Sequence, residues 1–597
     1  MNEVLKRIGA LRKAMADLKI DWYFMTSDDY HSSEYVSDYF KVREHFSGFT
    51  GDNAYLLLDK DSAYMWTDGR YFIQAEGELK GTTINLMRMG EEGVPTVTEF
   101  IKANVKKGMT LAFDGRCVST SLGKKIKKIL EANKAKLNYE DDTAAKLWKD
   151  RPSLPDAPLY ILKDETTGES CTSKLKRVRK VLKDSDAGAL LLSKLDDIAW
   201  LTNMRGNDIE CNPVFLSYMI VTEKEAYLFL RKCVVTKKIK TYLDSVGVTV
   251  IDYDDFFKFL SEFSCGKKLM LEENSVSFAA FMCAGKGSEI LNMANPTTYM
   301  KAVKNKTELK HIREICVTDS VCMIKFMYWL KASIGKEKLS ELDAAAKIDG
   351  LRSKVKGFIE LSFPTIAGYG PNAAMMHYSA TEKSFAYLKP ENFLLVDSGG
   401  QYENGTTDVT RTFVLGPVTD EMKLHFSKVA AGMLALADAR FLYGCTGRNV
   451  DILARLPLWE LGIDYKCGTG HGIGYILNVH EGPHGIRWKY NPDVNEAVLE
   501  DGMLMSDEPG VYIEGSHGIR TENMLLSVKA EKTPDGQFMK FEQLTWIPID
   551  REALDKKYLS EKDIKRINDY HKKVYQKTFR FLNENERKWL KEQTKPL

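Results

Sequence analysis

The sequence lacks an apolar run long enough to cross a bilayer, and its start, MNEVLKRIGALRKAM, reads as a charged amphipathic helix without a signal peptide's apolar segment. It lacks a charge excess, because 85 Lys and Arg residues face 83 Asp and Glu residues. This balance gives no electrostatic reason to bind nucleic acid or an anionic membrane. The ten cysteines are scattered and form no CxxC pair, which is typical of a reducing compartment. We therefore expect a soluble cytoplasmic protein without nucleic-acid or membrane partners.

The first half of the chain repeats one order of elements. From Val4, and again from about Ser173, a basic amphipathic helix leads into a buried strand, an acidic loop and a second helix. Further apolar runs follow each segment, such as AYLLLD in the first and EAYLFL in the second. The pattern predicts two consecutive α/β domains.

Two boundaries separate these domains from each other and from the rest of the chain. Three prolines interrupt LWKDRPSLPDAPLY, which is typical of a linker. Near KAVKNKTELKHIREI, Thr307 is predicted to cap a long helix that opens a third domain. The last stretch of the sequence is charged and helical, and we interpret it as a solvated helix that covers the third domain. The predicted domains are residues 1–158, 159–303 and 304–597.

The third domain contains two acidic hairpins. Asp397 ends the apolar strand NFLLVD and Asp408 begins DVTRTFVL, with the turn-rich GGQYENGT between them. A loop centred between Tyr402 and Glu403 would set the two carboxylates directly opposite each other. The Asn-Gly turn signal lies off that centre, and a bulge at Gly399–Gly400 could restore the register, so the register stays open.

Glu508 and Glu522 repeat this arrangement around Gly515, and His471 lies between the two hairpins in sequence, framed by glycines. Four converging carboxylates would repel one another and lose hydration unless cations neutralised them. One imidazole among carboxylates suits Mn²⁺ and, less often, Zn²⁺ or Co²⁺. Bridging carboxylates would hold two such ions about 3.5–4 Å apart.

Five strings follow one another along the chain: MWTDGRYFIQAE, SFPTIAGYGPNAAMMHY, LLVDSGGQYENGTTDVTRTF, GTGHGIGYILNVHEGP and SDEPGVYIEGSHGIRTENM. In order and spacing they closely resemble aminopeptidase P, the Xaa-Pro aminopeptidase family, in its long three-domain cytosolic form. The resemblance covers nearly the whole chain. It implies an α/β chain in which two consecutive creatinase-like N-terminal domains precede a pita-bread catalytic domain, an α+β fold whose pseudo-twofold relates the two hairpins. It also implies a homodimer.

The resemblance implies an enzyme that removes the first residue from peptides with proline in second position. Two divalent cations, Mn²⁺ before Zn²⁺ or Co²⁺, would share a hydroxide that attacks the Xaa-Pro amide. Glu508 would serve both as a ligand and as the general base. The five implied metal ligands are Asp397, Asp408, His471, Glu508 and Glu522.

Further residues of the site follow from the same resemblance. His377 would bind the scissile region and steady the tetrahedral intermediate, and His480 would contact the substrate backbone. Apart from the resemblance, Arg520 lies two residues before Glu522 and is interpreted as an electrostatic or hydrogen-bond partner of the site. Arg70, in TDGRY of the first domain, is interpreted as a residue that crosses to the active site of a dimer mate. An uninterrupted strand would point His471 and His480 to opposite faces, so this segment is predicted to bend or bulge.

The chain departs from the family at Cys467, where a histidine is common four residues before His471. Cys467 is predicted to line the pocket as a small apolar wall. The alternative is a thiol that tunes substrate contact or binds a softer metal.

Three other activities remain open. A prolidase-type dipeptidase shares the fold and metals but cleaves only dipeptides. A non-enzymatic pita-bread protein would bind peptide or protein partners, and a creatinase-like enzyme would hydrolyse a small guanidino compound. The intact ligand set argues against the last two.

Overall fold

The computed structural model describes residues 3–490 and 496–597, so the first two residues of the predicted N-terminal helix lie outside the described part. Contacts divide the chain into two compact units: Met1–Asp164 with Glu169–Thr297, and Glu165–Gly168 with Thr298–Leu597. Among the described helices, none combines the length and the apolar character that crossing a bilayer requires.

The first unit begins with an amphipathic helix, Glu3–Leu18, which buries Val4, Ile8, Leu11 and Met15 along one stripe. A six-stranded sheet follows, and its strand Trp22–Thr26 is buried along its whole length. In spatial order the strands are Ile84–Arg88, Ala63–Thr67, Ala54–Leu58, Trp22–Thr26, Thr110–Ala112 and Lys136–Asn138. The remaining helices of this part are Val42–Ser47, Phe72–Glu78, Val97–Asn104, Thr120–Ala132 and Thr143–Leu147.

A second six-stranded sheet in the same unit has the same topology. Its strands, in spatial order, are Thr249–Asp252, Ala226–Leu230, Tyr218–Thr222, Ala187–Leu192, Lys268–Leu271 and Ile290–Asn292. Its helices are Cys171–Asp184, Leu195–Thr202, Lys237–Ser245, Phe256–Glu262 and Phe278–Ala284. A short strand pair, Tyr160–Ile161 with Met204–Arg205, lies beside it.

In both sheets the spatial order is fourth, third, second, first, fifth and sixth strand, with the same parallel and antiparallel pairs. The predicted pair of similar α/β folds is therefore confirmed. Residues 151–159 between them contain neither helix nor strand.

The second unit is built from antiparallel strands packed against helices. Its sheets are Phe358–Leu361, Gly400–Tyr402 and Gly405–Thr406; Ile366–Tyr369, Phe393–Ser398 and Val409–Val414; Gly510–Ile513 and His517–Arg520; and a six-stranded sheet of Arg440–Leu442, Gly536–Gln543, Asn523–Thr533, Leu504–Asp507, Gly470–Gly472 and Glu481–Ile486. Its helices are Lys306–Ser333, Glu341–Arg352, Asp420–Ala437, Gly447–Trp459, Glu561–Thr578 and Glu584–Gln593. Two short helices, Asp164–Thr167 and Pro296–Ala302, lie at the limits of the units.

The long helix Lys306–Ser333 begins where the sequence predicts it, but its cap is Asn305 and not Thr307. The Asn305 side chain accepts hydrogen bonds from the backbone N–H groups of Thr307 and Glu308. Glu308 in turn accepts from the Asn305 N–H and completes a capping box. Asparagine at this position satisfies two backbone donors, so Thr307 becomes an ordinary first-turn residue.

Candidate metal centre

The second acidic hairpin has the predicted register. The strands Gly510–Ile513 and His517–Arg520 pair around Gly515, which has a φ of +72°. The flanking ladder, in which Asp507 opposes Asn523, keeps the same centre. Glu508 and Glu522 therefore occupy opposed positions.

The first hairpin differs from the predicted alternatives. Its turn is centred between Glu403 and Asn404, so Asp397 opposes Thr410 rather than Asp408. The ladder keeps this register from the turn outward, without the bulge that direct opposition would need. Asp408 lies two residues from Thr410, and this even spacing leaves both aspartates on one face as diagonal neighbours.

The structure brings the five predicted ligands into one site. His471 Nε2 lies 3.4 Å from Asp408 Oδ2 and 3.3 Å from Glu508 Oε1. Ligand atoms of Asp408, His471 and Glu522 all lie within 4.8 Å of one another. Asp397 interacts electrostatically with Asp408 and Glu508. The donor set is thus four carboxylates and one imidazole.

The carboxylates are buried close to one another, so burial and like-charge repulsion both disfavour their ionised form. Burial raises the pKa of Asp397 to about 6, an effect that Arg520 opposes and Asp408 and Glu508 reinforce. Burial and the same kind of like-charge repulsion raise the pKa of Glu522 well above its usual value. Within the described part of the chain, Asp397 Oδ1 and Glu522 Oε1 have no hydrogen-bond partner. Buried oxygens without donors, facing an imidazole, fit divalent cations.

The imidazole of His471 is oriented for this role. Its Nδ1 lies 3.0 Å from the carbonyl oxygen of Gly472, so the Nδ1–H donates there and Nε2 faces the carboxylates. Burial lowers the pKa of His471, but hydrogen bonding to Asp408 and Glu508 outweighs burial and raises it well above its usual value. Burial acts in the opposite direction on Glu508, whose pKa it raises. Hydrogen bonding to His471 and the charge of His471 outweigh burial and hold the pKa of Glu508 below its usual value. The backbone N–H of His471 donates to Ser506 Oγ.

Two hydroxyl residues of the site were not predicted. Thr410 donates to Glu522 at 2.8 Å, and Ser506 donates to Glu508 at 3.0 Å. The signal for Thr410 is its position opposite Asp397, which becomes visible only once the register is known. Ser506 lies two residues before Glu508, so strand alternation could have placed it on the same face.

Three buried arginines hold backbone carbonyls beside the ligands. Arg352 donates to the carbonyl of Ser398, which follows Asp397, and is paired with Asp319. Arg411 donates to the carbonyl of Glu522. Arg455 donates to the carbonyl of Cys467 and to the Thr469 side chain, and is paired with Asp451 at 2.8 Å. We call Arg352, Arg411 and Arg455 the arginine frame.

The segment between the two histidines bends as predicted. Ile476 has a φ of +52°, in the left-handed region that β-branched residues rarely adopt. The strand register also shifts after His471, because His471 opposes Gly485 while Gly472 opposes Glu481. As a result, the rings of His471 and His480 lie 4.2 Å apart, centre to centre, in an edge-to-face arrangement.

Arg520 contacts the site directly. It donates to Asp397 Oδ2 at 2.6 Å, to Thr410 Oγ1 at 3.1 Å and to the Tyr512 hydroxyl at 2.7 Å. The Nη2 that donates to Asp397 also lies 3.4 Å from the carbonyl oxygen of Met376. That carbonyl directly precedes half-buried His377, which ties the segment of His377 to the site.

Cys467 is half-buried and packs against an apolar cluster that also contacts Tyr512. This packing agrees with a small wall residue. Arg70 lies in the other unit, where it makes a bidentate ion pair with Asp68 at 3.0 and 2.9 Å. The structure therefore describes Arg70 only within its own unit.

Family models match four parts of the chain. Two matches, at residues 7–139 and 150–308, are to the creatinase/prolidase N-terminal domain. Residues 310–529 match metallopeptidase family M24, and residues 537–597 match the C-terminal region of that peptidase.

Curated relatives match over nearly the full length. The chain is 34% identical to Xaa-Pro aminopeptidase 1 of Dictyostelium discoideum, an alignment that covers 100% of this chain and 97% of the relative. It is 36% identical to a probable Xaa-Pro aminopeptidase P of Talaromyces marneffei, with 99% and 92% covered. A crystal structure of X-prolyl aminopeptidase from Caenorhabditis elegans, described as a cytosolic enzyme with a di-nuclear active site, superposes with a TM-score of 0.94 at 31% identity and 100% coverage of both chains.

Proposed function

Since this chain belongs to the Xaa-Pro aminopeptidase family of M24 metallopeptidases, we propose that it removes the N-terminal residue from peptides whose second residue is proline. The observation that carries the proposal is the convergence of Asp408, His471 and Glu522 within 4.8 Å of one another, beside Asp397 and Glu508. Proline has a fixed φ and no N–H, so a pocket that accepts it must hold a tertiary amide.

The proposed ligands of two divalent cations are Asp397, Asp408, His471, Glu508 and Glu522. Mn²⁺ is the proposed metal, because carboxylate-rich sites with one imidazole suit it, with Zn²⁺ and Co²⁺ as alternatives. When bound, the cations would polarise the scissile carbonyl and lower the pKa of a water molecule to about 7.

Glu508 is the proposed general base. As a carboxylate it can accept a proton, and its Oε1 lies 3.3 Å from His471 Nε2. Ser506 donates to its Oε1 and leaves Oε2 for other contacts. Its side chain keeps 21% of its surface exposed, so a substrate water can reach it.

The remaining predicted residues form the proposed substrate site. His480 projects beside His471 and would contact the substrate backbone, and His377 would donate to the developing oxyanion. Arg520 would hold Asp397 and the segment before His377 in place. Cys467 would line the pocket, and Arg70 would reach the active site of a second copy of this chain.

A homodimer is proposed from an apolar surface. Ile452, Leu453, Leu456, Trp459 and Trp488 are 37–46% exposed. The first four belong to the helix Gly447–Trp459, and Trp459 meets Trp488 with 5.6 Å between ring centroids. Exposed apolar side chains grouped on one helix in this way are typical of an interaction surface.

Location and domain limits are proposed on separate grounds. A cytoplasmic location rests on the description of the Caenorhabditis elegans enzyme as cytosolic. The domain limits 1–158, 159–303 and 304–597 stay a proposal, of which the repeated sheet topology supports the division of the first half into two similar folds.

The test is mass spectrometry of an Xaa-Pro-Yaa tripeptide and an Xaa-Pro dipeptide with EDTA-treated enzyme, before and after Mn²⁺ is restored. The proposal expects release of the first residue from the tripeptide alone, only with metal. Glu522→Gln should abolish this release, whereas Glu542→Gln, at an exposed carboxylate paired with Arg313, should not. Cleavage of the dipeptide alone would indicate a prolidase-type enzyme, and metal binding without cleavage would indicate a binding protein.

A further inference from the structure

The loop between His471 and His480 is largely buried although residues 473–480 contain neither helix nor strand. Residues 472–477 are all buried, and the turn at Ile476 places a β-branched residue in the left-handed region. Such a conformation is unfavourable for isoleucine and persists only where surrounding contacts impose it. The position of His480 therefore depends on whatever anchors this loop.

Tyr475 provides an anchor directly beside the strained residue. Its side chain is 3% exposed, and its hydroxyl donates to the carbonyl of Thr166 at 2.9 Å. His311 Nδ1 lies 2.8 Å from the same hydroxyl. Because a phenol has one proton, His311 must donate through its Nδ1–H. A single hydroxyl thus links the loop to a helix and to the segment Glu165–Gly168.

The segment that receives Tyr475 is itself fixed. Asn305, the cap of the long helix, donates to the carbonyl of Thr167 at 2.7 Å. Gly168 has a φ of +67°, and a Cβ there would lie 2.4 Å from Asn305 Oδ1. The acceptor of the Tyr475 hydrogen bond therefore lies in a segment that is hydrogen-bonded to the cap of the long helix, within the same compact unit.

Other contacts hold the loop on either side of His480. Gln401, which is fully buried, donates to the carbonyl of Leu477 at 2.8 Å. Glu481, next to His480, forms a buried ion pair with Lys304. These contacts fix the loop after Ile476, and Tyr475 fixes it before Ile476.

We propose that Tyr475 is a positioning residue for His480: its hydroxyl, held by Thr166 and His311, imposes the turn at Ile476 that sets His480 against His471. The proposal rests on the proposed substrate contact of His480. His471 does not depend on Tyr475 in the same way, because Ser506 and Gly472 hold it independently. Loss of the Tyr475 hydroxyl should therefore affect substrate turnover and leave metal binding intact.

The test is a double-mutant cycle with Y475F and H480A, each assayed for kcat and KM on an Xaa-Pro-Yaa tripeptide. A displacement of about 1 Å at a substrate-positioning group lowers the rate by up to about 100-fold, so we expect Y475F to lower kcat/KM by about 10- to 100-fold. In the H480A background the same change should have less than about a twofold effect, because the group through which Tyr475 acts is gone.

Two controls separate positioning from general damage. Y443F removes an exposed hydroxyl that donates to Glu500 at 2.8 Å and should leave activity unchanged. Mn²⁺ titration of EDTA-treated Y475F should give the affinity of the parent protein. Should Y475F fold poorly, H311A removes the donor to Tyr475 from a half-buried position and takes its place in the cycle.

Each result decides a different point. An equal loss from Y475F in both backgrounds, no loss in either, or a lowered Mn²⁺ affinity would overturn the role of Tyr475. Full activity of H480A would instead refute the proposed substrate contact of His480, and the role of Tyr475 with it. Loss confined to the background that retains His480 would establish the proposal.

Discussion

Replacing Arg520 with glutamine should weaken metal binding, and the loss should be largest at low pH. Arg520 donates to Asp397 Oδ2 at 2.6 Å and is the cation that opposes the rise in the pKa of Asp397. The negative charges of Asp408 and Glu508 and the burial of the carboxyl group remain after the substitution. Asp397 should therefore hold its proton to a higher pH.

The size of the effect follows from the pKa of Asp397. With that pKa at about 6, about 90% of this carboxyl is ionised at pH 7. A neighbouring cation lowers a carboxyl pKa by about 1 to 3, so without Arg520 the pKa should reach about 7 to 9. The ionised fraction at pH 7 would then fall to between about 50% and about 1%. Because metal binds the ionised form, the apparent affinity should fall by about twofold to 100-fold.

The pH dependence of metal binding distinguishes an electrostatic role of Arg520 from a purely geometric one. A raised carboxyl pKa weakens binding below that pKa and has no effect well above it. Competition titration with Mn²⁺ and a chelator at pH 6.5, 7.5 and 8.5 should therefore show the ratio of variant to parent dissociation constants shrinking as pH rises. Arg520→Lys keeps the positive charge, so its dissociation constant for Mn²⁺ should lie between those of the parent protein and Arg520→Gln.

The control is Arg313→Gln, which removes an exposed arginine that pairs with Glu542 at 2.8 Å. It should leave Mn²⁺ affinity unchanged at every pH. A ratio for Arg520→Gln that does not change with pH would refute the electrostatic reasoning and assign Arg520 a purely geometric role.

Three further changes test other parts of the site. Gly470→Ala should abolish metal retention, because the added Cβ would lie 2.0 Å from the Ser506 carbonyl oxygen. Elemental analysis measures the retained metal. A variant that still retains metal would show that the strand can shift to accept the Cβ. Arg455→Met should lower the free energy of unfolding by about 3–5 kcal/mol in urea denaturation, because it leaves Asp451 charged and buried without its partner. Adding Asp451→Asn should recover part of the loss. A double variant no more stable than Arg455→Met would contradict this reasoning. Alkylation of Cys467 should inhibit unless a substrate analogue is bound, and full activity after alkylation confirmed by mass spectrometry would remove Cys467 from the pocket.

The sequence was informative wherever one local pattern determined the outcome. The pairing around Gly515 follows from a glycine midway between two glutamates, and the structure has that pairing. The repeated order of helix, strand and acidic loop likewise predicts two folds of one topology. The bend between His471 and His480 is expected because the family resemblance places both histidines in one site, which an uninterrupted strand would not allow, and the bend is present.

Other features depend on contacts that are distant in sequence. The turn of the first hairpin is centred between Glu403 and Asn404. No local sequence pattern favoured this centre over the other possible registers. Thr410 becomes a partner of Glu522 only through that register. The anchor of Tyr475 is a backbone carbonyl more than three hundred residues away, at Thr166, and local pattern contains no information about such a pairing.

The arginine frame has a consequence for how this site could change during evolution. Arg352, Arg411 and Arg455 hold carbonyl oxygens of the main chain, and those oxygens are present whatever side chain the residue carries. A descendant that lost the acidic side chains of the proposed metal site would therefore keep these main-chain contacts, without the repulsion between carboxylates. On the proposed function, such a protein would bind peptides without hydrolysing them.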